Sequence, residues 1–182
     1  MGRDKALLEL GGRTLLERSI ATLEALVPRV LLACGESARY GELGRELVLD
    51  RHLGVGPLAG LAAALERAQA AGQSWLLALA CDLPHASSTV FTRLLARARE
   101  READACLLST QDGLEPLCAV YRTGVLPAVL RSIEQGERRM VAFHPGLRVA
   151  TLASVELPAE LAHCARNVNR PEEFLAAGGG QP

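Results

Sequence analysis

Trp75-Leu76-Leu77-Ala78-Leu79-Ala80-Cys81-Asp82-Leu83-Pro84 is the stretch on which the fold class turns. Seven apolar residues in succession end abruptly at a carboxylate and a proline. The run is far too short for a bilayer span, which needs about 20 residues. It reads as a buried strand with both faces covered, the habit of strands in a parallel sheet flanked by helices.

Outward from this strand, the segments alternate in kind. Upstream, Leu58 to Ala70 is an alanine-rich helix opened by Gly56-Pro57 and closed near Gly72. Before it stand two short apolar runs, Val30 to Cys34 and Glu46 to Leu49, predicted as strands. Leu15, Leu16, Ile20, Leu23 and Leu26 share one helical face, with Thr14 as N-cap and Pro28 as the stop. Downstream, helices are predicted over Ser88 to Arg101, Val125 to Gln135 and Pro171 to Ala177. Strands are predicted over Ala103 to Leu108, Leu117 to Tyr121 and Leu147 to Leu152. Strands alternating with helices across short loops predict an α/β fold, a mostly parallel sheet in a three-layer α/β/α arrangement. The expected organisation is one domain over 1–177, with a glycine-rich disordered tail over 178–182.

Composition narrows the function classes. Hydrophobic residues make up 49% and aromatic residues only 3%, so Leu, Ala and Val must fill the core. The formal net charge is −1, without the basic excess of a nucleic-acid binder. Cys34, Cys81, Cys106, Cys118 and Cys164 show no CxxC spacing and read as reduced core residues of a cytoplasmic protein. No membrane segment is expected. The basic residues are 19 arginines and a single lysine, Lys5. A retained lysine marks a position that requires a compact ammonium rather than a planar fork, unless chance kept it.

In open α/β sheets, ligands bind beyond the carboxyl ends of strands, and that rule picks out Asp82 and Asp50. Asp82 suits Mg²⁺, which takes one or two carboxylates plus phosphate oxygens and water; a plain turn aspartate is the alternative. Asp50 leads into Gly54-Val55-Gly56-Pro57-Leu58-Ala59-Gly60, where glycines permit close backbone approach before a helix N-terminus. Lys5 can neutralise a phosphate chain or be a solvated terminal charge. Asn167 and Asn169 precede a helix, as caps or as neutral oxygen ligands beside Asp82. Arg138 and Arg139 either clamp an anion or form a solvated turn. His52, His85, His144 and His163 lack metal-ligand spacing, and no Walker A, GxSxG or GxGxxG motif is present.

Taken in order, these motifs resemble those of the molybdenum cofactor guanylyltransferase family. The carriers are Gly2-Arg3-Asp4-Lys5 with Gly11-Gly12-Arg13-Thr14, Gly56-Pro57-Leu58-Ala59-Gly60, and Cys81-Asp82-Leu83-Pro84. Then follow Glu115-Pro116-Leu117-Cys118-Ala119-Val120-Tyr121, Gly136-Glu137-Arg138-Arg139 and Asn167-Val168-Asn169-Arg170-Pro171. The resemblance implies a nucleotide-diphospho-sugar-transferase-like fold and Mg²⁺-dependent transfer of GMP from GTP to molybdopterin, with release of diphosphate. It implies that Lys5 and Asp82 are catalytic, and that Lys5, Asp50, Gly56, Pro57 and Asp82 bind the nucleotide. Asp82 and Asn169 would hold the metal, while Arg138, Arg139 and Asn167 would meet the cofactor phosphate. Molybdoenzymes and other cofactor-biosynthesis proteins are the implied partners.

Two departures qualify the match. Family members begin with an apolar strand and a Gly-Gly loop ahead of the point where this sequence starts. Without that strand its two neighbours are expected to show open edges and an apolar slot. Met1 then reads as an internal methionine of a longer chain, or the chain is a truncated member with little or no catalysis. Ala33-Cys34-Gly35 also stands where guanylyltransferases carry an asparagine. A cytidylyltransferase, a sugar-phosphate nucleotidyltransferase and a non-catalytic family member are the alternatives.

Overall fold

The computed structural model describes residues 4–161, 163–168, 171–176 and 178–179. A tight hairpin, β1 (Glu9–Leu10) and β2 (Arg13–Thr14), turns on Gly11 and Gly12, both at positive φ. Helix α1 (Leu15–Glu24) starts with a complete capping box: Thr14 Oγ1 accepts from the Glu17 amide, and the Glu17 carboxylate accepts from the Thr14 amide. Strands β3 (Leu31–Ala33) and β4 (Glu46–Val48) pair in parallel. Helix α2 (Pro57–Ala70) follows, then β5 (Trp75–Leu79) and α3 (Ser88–Glu100). After β6 (Ala105–Thr110) and β7 (Gly113–Arg122) come α4 (Leu126–Glu134), β8 (Val149–Ala153) and α5 (Pro171–Ala176).

The larger sheet has the order β5-β7-β6-β8. Strand β7 runs antiparallel to both β5 and β6, and β8 runs parallel to β6. Three of these four strands therefore point one way, and β7 is the reversed member. Its hairpin with β6 explains the reversal, because a two-residue connection can join only antiparallel strands. Opposite faces of the sheet carry opposite helices, as the alternation of side chains requires. Leu76, Ala78, Ala105, Leu107, Ala119 and Tyr121 pack with α2 and α4. Leu77, Leu79, Cys106, Leu108, Cys118 and Val120 pack with Val90, Phe91 and Leu94 of α3. These are the three layers expected from the sequence.

The β3–β4 pair forms its own sheet, covered by α1 through Ile20 against Val30, Leu32 and Cys34. Helix α2 touches β3, β4 and β5 and so spans both sheets. Among the described residues no strand joins the sheets, and β3 and β5 border a cavity of about 690 Å³ with mainly apolar walls. This explains why β5, an unbroken apolar run, is only half-buried along its length. A fourth cluster gathers Leu8, Leu10 and Leu15 with Val168 and Phe174, and Leu10 makes a bridge with Gly179. All five cysteines are free, and only Cys81 is not fully buried.

Candidate active site at the carboxyl ends of the strands

Each strand that opens onto the cavity delivers one carboxylate or loop to the same end. Beyond β5, the Leu83 amide donates to the Ala80 carbonyl and turns the chain, so Asp82 stands at the strand mouth. Its backbone carbonyl accepts from the Val168 amide at 2.9 Å, which draws the Asn167–Val168 segment alongside. The Lys5 ammonium lies 3.1 Å from Asp82 Oδ2, both side chains about a quarter exposed. Lys5 thus lines the cavity beside Asp82.

Asp50 follows β4 and is fixed by its amide donating to the Gly35 carbonyl at 2.8 Å, across the loop that ends β3. Its Oδ1 is buried and, among the described residues, accepts no hydrogen bond. Burial, then the neighbouring Glu36, raises the Asp50 pKa above the usual aspartate value. A β-carbon at Gly60 would lie 3.3 Å from Ala33 Cβ and 3.5 Å from Asp50 Oδ1. Glycine there lets α2 close onto β3 and the carboxylate. Gly56 caps α2 with φ 79° and ψ −148°, a conformation open essentially to glycine alone. No side chain caps this helix, its first residue Pro57 has no N–H, and the Ala59 amide donates to the Gly56 carbonyl at 2.9 Å. Lys5, Asp50, Gly56, Pro57 and Asp82 all line the one cavity.

Glu115 adds a third carboxylate. The β6–β7 ladder slips between Leu107 and Leu108, whose partners are Ala119 and Glu115. Pro116 lacks the amide that a regular ladder needs, and the irregularity sets Glu115 opposite Asn167, whose Nδ2 donates to Glu115 Oε1 at 3.5 Å. Burial raises the Glu115 pKa, opposed by the Asn167 hydrogen bond and reinforced by Asp82. In the sequence Glu115 stands out only as part of a motif, a charge just ahead of the apolar run Leu117 to Val120. Asp4 likewise stands out only inside the Gly2-Arg3-Asp4-Lys5 motif, and Arg39 and Tyr40 carry no such mark, although all three line the cavity.

Among the other expected residues, Asn169 lies outside the described residues. Arg138 and Arg139 follow α4 and do not line the cavity; Arg139 is largely exposed, with Glu137 at 3.9 Å. His85 sits just past Asp82, where burial, then Arg18, His163 and Arg166, depress its pKa and favour the neutral ring.

The donor set suits Mg²⁺. Asp82 presents a hard carboxylate oxygen that already meets a cation, the Lys5 ammonium. Among the described residues no three His, Cys, Asp or Glu side chains converge into a protein cage. Mg²⁺ commonly binds through one or two carboxylates, with phosphate oxygens and water completing the octahedron. No helix among the described residues is long and apolar enough to cross a membrane.

The MobA-like NTP transferase domain matches residues 1–149. A probable molybdenum cofactor guanylyltransferase of Opitutus terrae is 38% identical over 175 residues, covering 95% of this chain and 86% of the relative. The crystal structure of molybdopterin-guanine dinucleotide biosynthesis protein A from Archaeoglobus fulgidus superposes with a TM-score of 0.80 at 26% identity, over 97% of this chain and 89% of that one. The 2-C-methyl-D-erythritol 4-phosphate cytidylyltransferase of Thermus thermophilus shares the fold, with a TM-score of 0.68 at 22% identity over 95% and 91% of the two chains.

Proposed function

The chain belongs to the MobA-like NTP transferase family, and from that premise we propose that it transfers GMP from GTP to molybdopterin, in a Mg²⁺-dependent reaction. An oxygen of the molybdopterin phosphate forms a bond to the α-phosphorus of GTP. The bond from that phosphorus to the α,β-bridging oxygen breaks, and diphosphate leaves. The nucleophile is already anionic, so alignment and charge neutralisation matter more than a general base.

The observation that carries this reading is the Lys5–Asp82 pair at the mouth of β5, inside the cavity that also holds Asp50 and the uncapped start of α2. Lys5 orients the triphosphate and offsets the charge that grows on the leaving diphosphate. Asp82, with Asn169 as the expected second ligand, would hold Mg²⁺, which supplies further charge neutralisation to the phosphate oxygens when bound. Asp50 presents an acceptor that suits the N1–H and N2–H₂ donors of guanine, a pattern that cytosine does not offer. Glycine at 56 lets the nucleotide approach the backbone, and Pro57 starts the helix. Asn167, Arg138 and Arg139 are assigned to the phosphate of molybdopterin. Molybdoenzymes and other cofactor-biosynthesis proteins are the proposed recipients, and the cytoplasm the proposed compartment.

The test is transfer from GTP, CTP or ATP to molybdopterin with Mg²⁺, for wild type and Asp82→Ala. Formation of the guanine dinucleotide by wild type alone, with the variant folded by circular dichroism, is the expected result. Preferential use of CTP, or full turnover by the variant, would overturn the assignment.

A further inference from the structure

Lys5 lies in a 3₁₀ turn of three residues, Lys5–Leu7. A single turn does not hold its own shape in water, so something outside it must fix the direction of the ammonium. Asp4, the N-cap of that turn, is held from three sides. Its Oδ1 accepts from the Ala6 amide at 3.1 Å, and its Oδ2 accepts from the Tyr40 hydroxyl at 2.6 Å and from Arg39 Nη1 at 3.2 Å. Arg39 also donates through Nη2 to the Cys34 carbonyl at 3.2 Å, and its guanidinium lies 5.1 Å from the centre of the Tyr40 ring.

Tyr40 itself has φ 66°, a left-handed backbone that a bulky side chain rarely adopts. Such an outlier persists only where its surroundings over-determine it, and here it accompanies the hydroxyl's contact with Asp4. The contacts run from the loop after β3 through Tyr40, Asp4 and Lys5 to Asp82 after β5, across the mouth of the cavity between the two sheets. Burial, then the Asp4 hydrogen bond, hold the Tyr40 pKa well above its usual value, so the phenol stays a donor throughout the neutral range.

We propose that Tyr40 is a positioning residue for nucleotidyl transfer, acting through Asp4 to hold the Lys5 ammonium against the triphosphate. This rests on the role given to Lys5 above. Tyr40→Phe keeps the ring and removes only the hydroxyl. The expected result is a drop in kcat of about tenfold, with the variant folded. In a Lys5→Ala background the same substitution should change kcat by less than about twofold, because the group it acts through is gone. Tenfold losses that simply multiply in the double variant would overturn the proposal.

A second readout is independent of turnover. Lys5 is the only lysine in the chain, so isotopically labelled lysine gives one lysine side-chain signal by NMR. Tyr40→Phe should move that signal towards the position of a mobile lysine; an unmoved signal would overturn the clasp even in a protein that transfers nothing from GTP. Asp4→Asn, which leaves the Tyr40 ring in place, provides the same measurement should Tyr40→Phe not fold, with the same expected and contrary outcomes.

Discussion

Replacing Asp50 by Asn tests whether the site stores an unmet electrostatic demand. Asp50 Oδ1 is buried without a hydrogen bond among the described residues, yet the residue as a whole is only half-buried. A buried unsatisfied polar atom costs about 1–3 kcal/mol, and more for a charged group. Water at the exposed part of the side chain reduces that penalty, and Asn keeps one polar atom in the same place. The net gain expected for Asp50→Asn at neutral pH is about 1 kcal/mol, a rise in Tm of about 2–4 °C for a domain of this size.

The pH dependence fixes the cause. Burial and Glu36 raise the Asp50 pKa above 3.8, so the folded state binds this proton more tightly than the unfolded state does. The stabilising contribution of the raised pKa is full below about pH 3.8 and is lost as pH rises through the folded-state value. Asp50→Asn should therefore match wild type near pH 4 and exceed it at pH 7 and above. Urea unfolding across pH 4–8 measures the difference. A variant less stable than wild type at pH 7, or a difference that does not change with pH, would refute the reasoning. GTP should raise the Tm of wild type by more than that of the variant, because the base supplies the missing donors.

Lys5→Ala is expected to lower turnover at least tenfold, about 1.4 kcal/mol of transition-state stabilisation; an unchanged rate in the transfer assay would remove Lys5 from the chemistry. Thr14→Ala breaks the capping box of α1 and should cost about 1 kcal/mol in urea unfolding, with Glu17→Ala adding little in that background. Losses that add in full would show that the two caps act separately.

Much of this site is legible without the structure, for physical reasons that differ by residue. Asp82 is legible because seven apolar residues end at it, and an apolar run fixes where a strand stops. Asp50 is legible by the same logic, and Lys5 because it is the one lysine among so many arginines. The reversal of β7 is not, since Leu117 to Tyr121 carries no mark of direction; only its short hairpin to β6 decides that. The β1–β2 hairpin is two residues per strand, too short for periodicity, although its Gly11-Gly12 pair is a turn signal. Asp4 and Tyr40 are 36 residues apart and meet only because α1 and β3 fold back on each other. No local pattern encodes such a contact. Arg138 and Arg139 stand out as a pair in the sequence, but a pair of charges says nothing about which cavity it borders.

The cluster of Leu8, Leu10 and Leu15 with Val168 and Phe174 joins segments made at opposite times during synthesis. At about 5–20 residues per second, roughly 10–30 s separate the emergence of Lys5 from that of Phe174. Until then the Lys5 turn has its apolar flank in water and no Val168 amide to brace Asp82. Deleting the chain from Val168 onward is therefore expected to quench transfer well before it unfolds the β5-β7-β6-β8 sheet, because both the brace on Asp82 and the apolar cover of the Lys5 turn go with it.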